Sequence, residues 1–295
     1  MINMIKADMY RILCGKGLYI ALSILLLFIG LSVFVIGAAA TQPGLTIYIA
    51  ESSAGLELAV VELDSTDDLM RLADELRDEI MTAVADGITA VEGAQLGLQN
   101  VSSIVVYFII AIVVLVVMAS FSSGAIKNEL STGVERWKLY FSKLVLASVL
   151  TVFLLIFNIV FSAVFALIGP GDGIGYWGSG ILINILHSFA LQSFIMISIT
   201  SFGVFLCFVT QKTAAVVSLF IGFLIVPVAV VQMLSLAFSG AIRFMYYDLG
   251  NQLMFFANSG TLDNMQILRG IIIGAIYMLV SVLCGIAVFR KKEIK

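Results

Sequence analysis

Six apolar runs, each long enough to cross a hydrocarbon core, divide this chain and leave little room for any fold but a bundle of membrane helices. They lie at about 18–40, 100–122, 144–168, 181–209, 214–236 and 270–289. In lipid every backbone N–H and C=O must be satisfied by protein, so each such run reads as an α-helix. Composition agrees: 61% of the residues are hydrophobic, 12% are charged and the mean hydropathy is +1.11. A soluble domain is roughly half apolar and a quarter charged. The fold class is therefore all-α, an integral membrane protein with six transmembrane helices. The fourth run is long for one straight span, which places its first turns in the interface. The first run, Leu18 to Ala40, exceeds a secretory signal core, although Ala38, Ala39 and Ala40 imitate a cleavage site. It is read as a retained first span.

Charge bias sets the orientation, because Lys and Arg gather on the cytosolic side of short loops. Residues 1–17 carry Lys6, Arg11 and Lys16, and the 123–143 segment carries Lys127, Arg136, Lys138 and Lys143. Lys212 lies in the turn after the fourth run, and the 290–295 tail carries Arg290, Lys291, Lys292 and Lys295. With six spans all of these fall on one side, so both termini are expected in the cytosol, at a bacterial plasma membrane. Residues 41–99 are the opposite case. Twelve carboxylates against Arg71 and Arg77 give that segment −10 in a chain of −3, leaving +7 elsewhere. It is expected outside the cell. Leu69, Leu72, Leu76, Ile80, Val84, Ile88 and Val91 step by three or four there, so the segment reads as acidic and mostly helical, its helix continuing into the second span.

Two stretches are amphipathic rather than greasy. Ile2, Ile5, Met9, Ile12 and Leu13 share a helical stripe, with Asp8 and Arg11 away from it. That predicts an elbow helix over 1–17 lying on the inner leaflet, its basic residues drawing anionic membrane lipids. Residues 237–269 mix aromatics such as Phe244, Tyr246, Tyr247 and Phe256 with Ser, Gly, Asn, Asp248 and Arg243. Two short helices dipping into the outer leaflet, broken near Gly250 and Asn251, fit this pattern; so does an interfacial loop with an aromatic belt.

Enzyme signatures are missing from the sequence. There is no HExxH, no GxSxG and no acidic pair within a span, and His187 is the sole histidine. Cys14, Cys207 and Cys284 show no metal-ligand spacing. A phosphate-binding GxxxxGK[ST] loop is also absent: Gly15, Lys16 and Gly17 lack the upstream glycine and the following hydroxyl. The chain is expected to be non-catalytic, to bind no cofactor or metal itself and to have no nucleic-acid partner. Polar positions inside the spans are Asn158, the strip Asn184, His187 and Gln192, and the helix-interior Pro227. They read as lining a pathway or as interhelical packing. Gly270 with Gly274, and Ser281 with Gly285, repeat the small-residue spacing that lets helices approach closely.

The most informative stretch is GAIKNELSTGVERWKLYFSK, residues 124–143, between the second and third runs. Basic side chains cost about 2.5–3.5 kcal/mol each at mid-membrane, so this stretch lies in water. Ile126 to Ser131 can form a short amphipathic helix that Gly133 ends. Glu135 and Lys138, three apart, support a second helix running through Leu139 and Phe141 into the third span. Lys143 is expected at the membrane edge, its ammonium snorkelling to water. The product is a knuckle joined directly to two spans, able to transmit force if something docks on it. An ordinary solvated loop is the alternative.

With a basic amphipathic N-terminal helix and six spans, the loop residues Ile126, Lys127, Asn128, Glu129, Gly133, Arg136, Lys138, Tyr140, Ser142 and Lys143 resemble the membrane subunits of type-2 ABC exporters, the ABC-2 permease family. The opening residues 2–11 also resemble the peptide-export and bacteriocin-immunity permeases of Gram-positive bacteria. The resemblance implies that 126–132, including Leu130, is a coupling helix seated on an ATPase subunit. Partners would be two copies of a P-loop ATPase, which hold ATP and Mg, and a second permease copy or paralogue. The implied function is ATP-driven export of amphipathic or antimicrobial peptides, or of a hydrophobic drug. The enlarged acidic 41–99 segment departs from the compact members. An ATP-independent secondary transporter, or a membrane sensor with an acidic external ligand-binding segment, is the rival expectation.

Overall fold

A computed structural model describes residues 2–40, 90–168, 179–237, 248–257 and 262–291. Most of the acidic segment, residues 41–89, lies outside the described residues, as do the 292–295 tail and residues 238–247 and 258–261 of the expected hairpin. All regular structure among the described residues is helical. We number the helices α1 Ile2–Cys14, α2 Lys16–Ala40, α3 Ala90–Ser122, α4 Ala125–Ser131, α5 Arg136–Ile168, α6 Ser179–Thr210, α7 Thr213–Ala237, α8 Leu249–Ala257 and α9 Asn264–Lys291. Five of them are long and apolar enough to cross a membrane: Lys16–Val33 of α2, and α3, α5, Gly180–Thr210 of α6, and α9. In α7 the apolar helix Thr213–Pro227 is shorter.

The helices follow the apolar runs, with boundaries moved where side chains pack. The apolar run of the second span begins near residue 100, and the helix runs into it from the acidic segment as expected, α3 beginning at Ala90. Ala90, Val91, Ala94 and Leu98 form a buried stripe at helical spacing, so the last turns of the acidic segment belong to the span. Gly15 separates α1 from α2, its N–H closing on Ile12 O at 3.1 Å. Gln211, at φ 54°, makes the tight turn expected between the fourth and fifth runs. α3 changes register twice, in π-turns at Val101–Val105 and Val114–Met118, each adding one residue to the helical ladder.

The chain divides into two compact units, one of Met1–Leu26, Leu98–Asn158 and Gly178–Lys295, the other of Leu27–Gly97 and Ile159–Trp177. In the smaller unit, glycines let 90–97 lie against 159–166. A Cβ on Gly93 would meet Ala166 Cβ at 2.5 Å and Ser162 O at 2.8 Å. The larger unit is built around α6, the most buried span, whose most extensive contact is with α9. Both predicted small-residue pairs mark close approaches there. Gly274 admits Phe194 and Ile195 of α6, Gly270 admits Phe256 of α8, and Gly285 admits the Tyr140 ring of α5. The outer faces of α5 and α9 expose Val149, Phe153, Val160, Ile276, Leu279 and Leu283, side chains suited to lipid.

Two local expectations are corrected. Gly250 and Asn251 do not break a helix; both lie inside α8. Asp248 starts α8 instead, its carboxylate accepting from the Asn251 N–H at 3.0 Å, the usual role of an N-cap aspartate. Burial pushes the Asp248 carboxyl up, and backbone hydrogen bonds from Asn251 and Gly250 draw it back. Nor is α8 a surface loop, since Leu253 and Phe256 are fully buried. The N-terminal helix is the second correction. Ile12 was placed in the stripe that meets the inner leaflet and Asp8 away from it, yet both are buried in protein, while Met9 and Leu13 of that stripe, with Tyr10, are exposed.

Candidate functional site

The knuckle is set by two left-handed glycines. Gly124 at φ 71° precedes α4 and Gly133 at φ 84° follows it, conformations that cost an L-residue about 1–2 kcal/mol. No atom stands within 4 Å of where a Cβ would be at either, so backbone freedom rather than crowding requires glycine. Between them Ile126 is fully buried and anchors α4, leaving Lys127 and Asn128 exposed and Leu130 half-buried. Glu135 and Lys138 pair at 3.2 Å as the spacing predicts, and Trp137 Nε1 donates to Glu135 at 2.5 Å. Hydrogen bonds from Lys138 and Trp137 hold the Glu135 carboxyl below its usual range.

Lys143 does not snorkel. Its side chain is wholly buried, and its Nζ lies 2.5 Å from Asp8 Oδ2 of α1 and 3.8 Å from Glu129 Oε1 of α4. The physical reason is the inward turn of α1: an ammonium without water needs a carboxylate at contact distance, and Asp8 supplies one. Arg11 completes the group, 3.1 Å from Asp8 Oδ1 and 2.5 Å from Ser120 Oγ at the end of α3. Four charges thus tie α1, α3, α4 and α5 together. Burial pushes the Glu129 carboxyl up and Asp8 adds to this, while Lys143 and Arg11 pull it down.

Beside this group lies an aromatic joint. Phe208 of α6 stacks with Tyr140 of α5 at 4.9 Å, with Phe289 of α9 at 4.6 Å and with Phe121 of α3 at 5.4 Å between centroids. Arg136 Nη1 donates to Phe289 O and Arg290 O, both at 3.0 Å, at the end of α9. A cation there complements the negative end of the helix dipole. The Tyr140 hydroxyl reaches Ser281 O at 3.4 Å, and Ser142 Oγ bonds Leu139 O at 3.0 Å. The ends of four long helices therefore converge on the knuckle.

The other predicted polar residues do not form one strip. Gln192 is buried and donates to Leu98 O at 2.8 Å and Leu253 O at 2.9 Å, joining α6 to α3 and α8. Asn184 and His187 are exposed. Asn158 is buried on α5, and Pro227 lies half-buried inside α7. Sequence reasoning missed Asp8 as a partner of Lys143. One signal was available: an acid in a basic helix, and a lysine directly before an apolar run.

A family model described as "Protein of unknown function (DUF2705)" matches residues 76–295, well over half of the chain, so the chain belongs to that family. Neither the curated proteins nor the solved structures contain a match.

Proposed function

We propose that this DUF2705 member is the membrane-spanning permease subunit of an ATP-driven exporter. The observation that carries the reading is the knuckle: a short helix between two left-handed glycines, wired by charges to α1 and α5 and by aromatic stacking to α6 and α9. Force applied to α4 has a stiff route into the long helices, which a solvated loop would not offer. Exposed Lys127 and Asn128 leave α4 a polar outer face for a partner.

In this reading α4 docks on a P-loop ATPase, present twice in the complex with its ATP and Mg. A second permease copy or a paralogue completes the pathway. α7 acts as the sixth span, both termini lie in the cytosol, and α1 rests on the inner leaflet with Met9, Tyr10 and Leu13 toward lipid. The cargo is an amphipathic or antimicrobial peptide, or a hydrophobic drug. The test is co-purification with a P-loop ATPase and nucleotide-dependent export in proteoliposomes. Exchanging Lys127 or Asn128 for alanine should weaken docking without reducing membrane insertion. Transport or ligand response in the purified chain alone, indifferent to ATP, would overturn the reading in favour of a secondary transporter or sensor.

A further inference from the structure

Lys143 meets two unequal acids. Asp8 Oδ2 is at 2.5 Å and has a second cation, Arg11, on its other oxygen at 3.1 Å. Glu129 Oε1 stands at 3.8 Å, and Glu129 Oε2 is buried without a hydrogen-bond partner. The better-supplied acid holds the shared cation in contact, while the poorer one pairs with it only at 3.8 Å, outside hydrogen-bond distance. An ammonium carries three donors on a flexible stem, and charge-assisted bonds close at about 2.8 Å. Bringing Glu129 into contact therefore takes a shift of about 1 Å. Asp8 would keep Arg11 if Lys143 left it.

We propose that Lys143 is the shared cation of a two-position switch, clamped to Asp8 of α1 in this conformation and handed to Glu129 of α4 when α4 moves toward α5. Only ion pairs are exchanged, and the four charges stay balanced throughout. The charged groups facing Glu129 are Lys143, Asp8 and Arg11. Pressure on α4 then releases α1, so the two short helices respond in opposite directions. The identity of whatever presses on α4 rests on the exporter reading; the exchange does not.

Thermal unfolding and amide hydrogen exchange of the full chain in lipid nanodiscs test the switch without any ATPase. The variants are Asp8→Asn, Glu129→Gln and the two combined. If either acid can serve Lys143, each single variant folds with a small loss, and the pair loses about 5 °C or more beyond the sum of the singles. A double variant that fails to fold while both singles fold counts the same way. In Asp8→Asn, exchange across Ile2–Cys14 should quicken about tenfold while exchange across Ala125–Ser131 slows. Additive losses, an Asp8→Asn chain that fails to fold alone, or loosening of both helices would overturn the switch. The docking reading would still stand or fall by its own nucleotide assay.

Discussion

The two ends of the larger unit are held by different polar chemistry. At the knuckle, full charges are buried: Asp8, Lys143 and the half-buried Glu129 and Arg11. At the end that holds α8, the glue is neutral: Gln192 bridges Leu98 and Leu253 carbonyls, and Ser188 Oγ donates to Ala257 O at 3.3 Å. A neutral amide loses little when its partner shifts, whereas a buried ion stripped of its partner is strongly destabilising. The charged end is thus built for a few discrete arrangements, and the amide end for continuous packing.

Lys143→Met should break the comparison most severely. It strands Glu129 and leaves Asp8 to Arg11 alone, at a cost of about 3 kcal/mol in thermal or denaturant unfolding. Gln192→Leu removes two donors at the other end and should cost about 1–2 kcal/mol by the same measurement. Equal losses from the two would abolish the distinction between the ends. Gly133→Ala has open space for its methyl, so only the left-handed backbone resists it, at about 1 kcal/mol. In the exporter reading that variant also lowers nucleotide-driven transport, because α4 is re-aimed.

A pH titration sharpens the charged end further. The Glu129 carboxyl sits above its ordinary value, so the folded chain holds that proton more tightly than the unfolded chain does. Glu129's contribution to stability should therefore fall as pH rises from the ordinary glutamate range through the raised folded value, and level off above it. Glu129→Gln should flatten that slope. The smallest effect is expected at the exposed Glu135 and Lys138: Glu135→Gln should leave the unfolding midpoint unchanged in high salt, where screening weakens such pairs.

The sequence by itself determined the helices, because apolar runs of about 20 residues match a spanning helix and are twice the length of a barrel strand, and apolar length is visible residue by residue. It also located Gly133, the Glu135 and Lys138 pair, and the close approaches at Gly270, Gly274 and Gly285, since each depends on neighbours within a turn or on small size alone. Which face of α1 turns inward was decided only by tertiary structure. Asp8 and Lys143 are 135 positions apart, and no local periodicity couples them. The same holds for Gly250 and Asn251, turn formers that stay helical because Asp248 caps α8 and Leu253 and Phe256 are buried. Local propensity is worth about 1 kcal/mol at such positions. Burial of two large side chains, at about 1.5–3 kcal/mol each, outweighs it.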